Sequence, residues 1–345
     1  MKANQPIVSI QYLRAAAAIA VVVFHQFQGW AHGIFDLGKY GVDLFFVISG
    51  FIMVAMTETR ETSPSDFLKD RIVRIVPLYW LATLVAFILL IFGAKMVGGS
   101  SSIDVLVKSF FFIPAVNLDG GLWPILYLGW TLNYEMFFYV IFAGILLAPK
   151  QFRPFLVGAI LASLVASGFF LKPDHPILKF YTDPLLIEFA AGVFLGKLFG
   201  MSLQTTSFRT QIVGTILLIA VLLLGALLFP RLVFAALAVF FLSLFLILER
   251  KGAIPKIPLG LALGNASYSI YLFQEFGFLL TYAVLAYVPK ETFSAKVTAL
   301  GTGAVATAVA IALGWLVYKM VELPLIGFFK SSSKARPVKE ILAHE

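Results

Sequence analysis

Arg14 and His25 stand eleven residues apart in an otherwise apolar stretch. At 3.6 residues per turn that separation leaves two helical side chains about 20° apart around the axis and about 16 Å apart along it. They therefore share one face. An ionisable group at bilayer depth is expensive, and two in phase suit the wall of a polar cavity better than a face toward lipid. Imidazole titrates near neutrality, so His25 could serve as a general acid or base. The plainer alternative is an arginine that snorkels to the interface and a histidine hydrogen-bonded within a core.

Other polar residues fall where they could join that pair. Asp43 opens the second apolar stretch, at a depth matching His25, and a carboxylate there would fix the imidazole tautomer; otherwise it is a helix-start residue. Lys69, Arg71 and Arg74 precede the third stretch, with Arg71 and Arg74 at i and i+3 and so on adjacent turns of one face. Two guanidiniums and an ammonium suit a polyanionic cofactor; the alternative is ordinary cytoplasmic anchoring. Glu135, in Trp130-Thr131-Leu132-Asn133-Tyr134-Glu135, could bind a sugar hydroxyl, pair with Arg14, tune His25, or form a structural ion pair. Asp183, Glu188, Asn265, Gln274 and Glu275 are further intramembrane candidates.

The elements that must position these residues are membrane helices. The chain has 345 residues, 60% hydrophobic and only 13% charged, with mean hydropathy +0.95. A soluble domain carries about 25% charged residues, so most of this surface faces lipid. A span needs about 20 mostly apolar residues, and ten stretches qualify: 7–30, 38–58, 76–94, 127–148, 154–171, 182–200, 211–229, 232–248, 261–287 and 296–318. The first is too long for a signal peptide's apolar region and reads as a retained helix. Segment 103–116 is apolar but short, bounded by Asp104, Lys108 and Pro114, and reads as re-entrant or interfacial. With the N-terminus inside, lysine and arginine divide 17 inside to 8 outside, with Arg14 within the membrane, which predicts both termini in the cytoplasm. The expected architecture is an all-α, polytopic membrane protein of about ten transmembrane helices: a membrane domain over 1–330 and a cytoplasmic tail over 331–345.

Composition also excludes. With no cysteine there is no disulfide, thiolate metal site or acyl-cysteine. The four histidines lack metal-ligand spacing, so no metal is expected. The net charge of +8 is explained by cytoplasmic lysine and arginine, not by nucleic acid.

Taken in order, these residues resemble a known family. Leu13-Arg14 … His25, then Gly41-Val42-Asp43-Leu44-Phe45-Phe46-Val47-Ile48-Ser49-Gly50-Phe51, look like the opening of the acyltransferase-3 membrane proteins. Phe67 … Arg71-Ile72-Val73-Arg74-Ile75-Val76-Pro77, Trp130 to Glu135, Tyr268-Ser269-Ile270-Tyr271-Leu272-Phe273 and Val321-Glu322-Leu323-Pro324 follow in the family's order, over nearly the whole chain. The finer details are similar to the bacterial branch that acetylates exopolysaccharide.

The resemblance implies an enzyme of the bacterial inner membrane that moves acetyl from cytoplasmic acetyl-CoA to a carbohydrate hydroxyl. The acceptor would be a cell-surface or exported polysaccharide or its lipid-linked precursor. It also implies that Arg14 and His25 are the functional pair and that Arg71 and Arg74 are tied to activity. One departure stands out: members often carry histidine where this chain has Gln274. No hydrolase-like domain follows the tenth helix, so a second step would need another polysaccharide-biosynthesis protein. The rival class is a secondary transporter of a sugar or lipid-linked glycan, for which inverted repeats and matched broken helices are expected and not seen in the sequence.

Overall fold

The computed structural model describes residues 7–59, 61–116, 120–200, 207–287 and 295–331. Among these are fourteen α-helices and no strand: α1 (Val8–Phe27), α2 (Gly41–Thr59), α3 (Pro64–Ile91), α4 (Ile103–Phe110), α5 (Trp130–Ile145), α6 (Arg153–Leu171), α7 (Pro176–Tyr181), α8 (Leu186–Phe199), α9 (Phe208–Gly225), α10 (Leu232–Arg250), α11 (Pro258–Asn265), α12 (Ser267–Leu285), α13 (Ala295–Val317) and α14 (Leu323–Ser331). The long ones, α1, α2, α3, α5, α6, α8, α9, α10, α12 and α13, fall on the ten predicted stretches. Among the described residues seven stretches are long and apolar enough to cross a membrane by length and composition alone. The long helices outside that set are α5 at 16 residues, α8 at 14, and α12, whose first half carries Ser, Gln and Glu. The chain is an all-α polytopic membrane protein. Apart from Ser331, the expected tail lies outside the described residues, as do Lys2, Arg60, Lys290, Lys334, Arg336 and Lys339 of the charge count.

Three local expectations change. The charged segment before the third stretch is not a loop. The Ser63 side chain accepts the Asp66 N–H at 3.1 Å and Pro64 fills the first helical position, so α3 begins there and carries Lys69, Arg71 and Arg74 on its opening turns. The stretch 261–287 is broken at Ala266 into α11 and α12. Asp183 lies in the turn before α8 rather than within it. Segment 103–116 contains only the eight residues of α4, which reach about 12 Å and cannot cross a bilayer.

Two compact units form. One holds Asp43–Lys256 with the start of α1; the other holds Gln11–Val42 with Ile257–Ala335. In the first, α8 packs against α6, α9 and α10, and α5 against α3 and α6. Its centre is aromatic: Phe189 stacks on Phe46 and on Phe138, each at 4.5 Å between ring centroids. Helices α2 and α8 cross at glycines, since a Cβ on Gly50 would strike the Phe189 backbone and one on Gly192 the Val47 backbone. Gly192 and Gly196 form the small-residue step that lets membrane helices approach closely. Gly192→Ile is expected to destabilise the protein by about 1–3 kcal/mol through overpacking, read as a lower thermal midpoint in detergent; an unchanged midpoint would remove this crossing from the stability argument. The same unit anchors the start of α1, where the Glu249 carboxylate accepts the backbone N–H of Val8 at 2.9 Å and of Ser9 at 2.8 Å. A carboxylate there satisfies orphan donors at the positive end of the helix. Outward-facing positions are apolar, including Ile216, Leu217, Val221 and Leu224 of α9.

In the second unit α12 and α13 lie together along their length. Gly277 meets the Ala310 backbone and Gly314 that of Ile270. Beyond Ile10, α1 belongs here, and Gly264 packs on the Gln11 backbone. α13 continues through a π-helical turn, Tyr318–Glu322, into α14.

Candidate active site

α1 runs unbroken through Arg14 and His25, and both side chains are held by one helix, α12. The Arg14 Nε donates to Ser267 Oγ at 3.1 Å, and the His25 ring meets Gln274 Oε1 through Nδ1 at 3.1 Å. The two therefore share the face that the eleven-residue spacing predicts. Arg14 is buried, at 8% exposure, and His25 is half-buried.

The Gln274 contact decides which ring nitrogen can act. Gln274 Nε2 donates to the Tyr271 carbonyl at 2.8 Å, so the amide oxygen is the atom turned toward the ring. An amide oxygen only accepts, so Nδ1 carries the hydrogen. The neutral imidazole then keeps its lone pair on Nε2. Gln274, itself buried, thus supplies an acceptor for the Nδ1 hydrogen. Further along α12, Ser269 donates to the buried carboxylate of Glu322.

Glu135, Ser49, Tyr139 and Arg71 form one cluster in the other unit. Ser49 Oγ donates to Glu135 at 3.2 Å and lies 3.2 Å from the Tyr139 hydroxyl, which itself donates to Glu135. Arg71, at 4% exposure, acts electrostatically on Tyr139. Glu135 and Tyr139 are four residues apart on α5 and so share a face. That spacing is the signal by which the sequence could have added Tyr139 to the set. The Phe67 ring closes the cluster edge-on to Tyr139. Lys69 is exposed and Arg74 half-buried on the same helix as Arg71.

Asp43 lies in the first turn of α2 and pairs at 3.2 Å with Arg231, the residue just before α10. Arg231 Nε also approaches Glu188 at 3.6 Å. Asp43 and Glu188 are wholly buried, whereas the Arg231 side chain is 39% exposed. One guanidinium thus serves two buried carboxylates. Arg231→Met is expected to cost about 1–3 kcal/mol by leaving those acceptors without their cation, measured as a lower melting midpoint, and adding Asp43→Asn should recover part of it. If the two substitutions prove additive, the pairing carries no coupling energy.

Among the described residues no group of three or more His, Cys, Asp or Glu is set to hold a metal.

The acyltransferase-domain model of the acyltransferase-3 family matches residues 7–319. The chain is 36% identical over 325 residues to the exopolysaccharide production protein ExoZ of Rhizobium meliloti (strain 1021), covering 88% of this chain and 94% of that one. It is 27% identical over 205 residues to the O-acetyltransferase OatA of Staphylococcus aureus (strain NCTC 8325 / PS 47), covering 53% of this chain and 33% of the relative. A putative O-acetyltransferase, SACOL0978 of Staphylococcus aureus (strain COL), is 24% identical over 94% of this chain and 57% of its own length. No solved structure matches. With the family model spanning almost every helix and a relative of similar length beside it, the chain belongs to the acyltransferase-3 family of membrane acyltransferases.

Proposed function

We propose that this acyltransferase moves an acetyl group from cytoplasmic acetyl-CoA to a hydroxyl of an exported or cell-surface polysaccharide, or of its lipid-linked precursor. The observation that carries the reading is the His25 ring, bound through Nδ1 to Gln274 and leaving Nε2 as its basic atom. The likeness to a protein of exopolysaccharide production supports the choice of acceptor.

In this reading the acceptor hydroxyl attacks the thioester carbonyl and gives its proton to His25 Nε2. The C–S bond then breaks, and the proton passes to the departing CoA sulfur. In the two-step variant Nε2 attacks the thioester carbonyl and CoA leaves as its thiolate; the acceptor hydroxyl then takes the acetyl from the acetyl-imidazolium, and its proton passes to the CoA sulfur. Arg14, about 16 Å from His25 along the axis of α1, lines the wall along which the CoA arm rises toward the imidazole, as a cation that does not titrate. Arg71, Arg74 and Lys69 bind the CoA phosphates, for which guanidiniums offer bidentate donors. Asp43 and Glu135 complete the catalytic set as carboxylates within the spans. The protein resides in the bacterial inner membrane with both termini cytoplasmic, as the excess of inside lysine and arginine favours. Residues 1–330 are its transmembrane acyltransferase domain and 331–345 a cytoplasmic tail. Polysaccharide-biosynthesis proteins supply the acceptor and process the product.

The test is transfer of label from radioactive acetyl-CoA to polysaccharide by the purified full chain in nanodiscs. Label must appear on the glycan and be released by mild base, as an ester is. Glycan moved across the disc without acetylation would instead make the protein a transporter.

A further inference from the structure

A cavity of about 400 Å³ opens at the ends of α6, α7 and α10 in the unit that spans Asp43–Lys256. It is formed where α6 stops. Lys172 takes a left-handed conformation, with φ of 45°, and turns the chain into Pro173-Asp174. Gly168 lets Thr182 close on α6, since a Cβ there would collide with the threonine side chain. The Phe169 and Phe229 rings line one part, edge to face at 5.4 Å between centroids. Asp174, Asp183, Lys172 and Lys179 supply the polar lining. Asp183 is held by the Leu185 N–H at 2.9 Å and interacts electrostatically with Arg231, the cation shared by Asp43 and Glu188.

We infer that this cavity is the subsite for the acceptor glycan, taking one or two pyranose residues. The inference rests on the function proposed above, and three features favour a sugar. The volume lies at the lower end of the range that small-molecule sites occupy. Carboxylates and ammonium groups together accept from and donate to a ring's hydroxyls, while the exposed Phe169 and half-buried Phe229 rings cover its apolar C–H surface. In the proposed orientation the Lys172–Thr182 turn faces away from the cytoplasm, the side on which an exported glycan arrives. A phospholipid phosphate fits less well, because Asp174 and Asp183 offset the charge of Lys172 and Lys179. The subsite would therefore set which glycan is acetylated without taking part in the chemistry.

The test uses oligosaccharide repeats released from the host's exopolysaccharide and stripped of acetyl groups by base, with the full chain in nanodiscs. Asp174→Asn and Phe229→Ala alter an exposed and a half-buried side chain and leave the α8 turn intact. Each should raise the acceptor KM about tenfold, the loss expected for one charged hydrogen bond or one sizeable contact. The KM for acetyl-CoA should stay within twofold. Saturation-transfer NMR of the same oligosaccharide without acetyl-CoA should lose its signal in both variants. An unchanged acceptor KM and unchanged NMR signal would overturn the subsite while leaving the acetyltransferase intact. So would KM changes that appear only when the disc contains anionic phospholipid, which would make the cavity a headgroup site. Loss of acetyl transfer by the wild type, with NMR binding that both substitutions abolish, would keep the subsite and overturn the proposed reaction.

Discussion

His25→Ala should lower acetyl transfer by about 10²–10⁴-fold, the contribution of a positioned acid–base group, while the protein inserts and melts as the wild type does. Stability should hold because the ring is half-buried and its principal partner, Gln274, keeps its bond to the Tyr271 carbonyl. The KM for acetyl-CoA should change little, since the phosphates are assigned to Arg71, Arg74 and Lys69 on α3. The labelled transfer assay reads both quantities. Rapid quenching of the wild type with radioactive acetyl-CoA and no acceptor separates the two routes. Protein-bound label that is missing from His25→Ala means an acetyl-imidazole; no bound label with normal turnover means direct attack with His25 as base. A variant that acetylates at the wild-type rate would end the assignment of His25.

Gln274→Met should lower kcat by about a hundredfold and leave both KM values near wild type. Methionine nearly matches glutamine in length and volume but offers no good acceptor for the Nδ1 hydrogen. Without that acceptor the ring keeps its hydrogen bond to the Val21 backbone, and it can move its hydrogen to Nε2 and turn the wrong nitrogen to the substrate. A wrong tautomer is among the costliest single defects known in histidine catalysis. Gln274→Glu keeps an acceptor oxygen in place and should retain activity within about tenfold. Nitrogen-15 spectra of histidine-labelled protein give a readout that a packing role would not move: the His25 signals should report hydrogen on Nδ1 in the wild type and a mixture in Gln274→Met. Wild-type kcat in the methionine variant would reduce Gln274 to a packing residue.

Much of the architecture was legible because the bilayer imposes a strong local rule. Every backbone polar group in hydrocarbon must be bonded within its own segment, so long apolar runs announce helices one at a time. The ten predicted stretches accordingly coincide with the ten long helices. The spacing of Arg14 and His25 likewise foretold a common face, because eleven residues is almost three whole turns of one rigid element. Errors arose where local chemistry overrode hydropathy. The Ser63 cap and Pro64 extend α3 backward over charged residues that hydropathy reads as loop, and Ala266 interrupts a run that hydropathy reads as continuous.

Partner choice was another matter. Asp43 and His25 read as residues of similar depth, and depth alone does not say which side chains meet. Its carboxylate bonds Arg231, 188 positions further along the chain, while His25 receives its acceptor from Gln274, 249 positions away. The residues alone determined that this chain enters a membrane, roughly how many times, and which polar groups it carries there. Only the packed helices decided which of those groups touch, because such contacts depend on the rotation and register of separate helices, which no spacing along a single helix encodes.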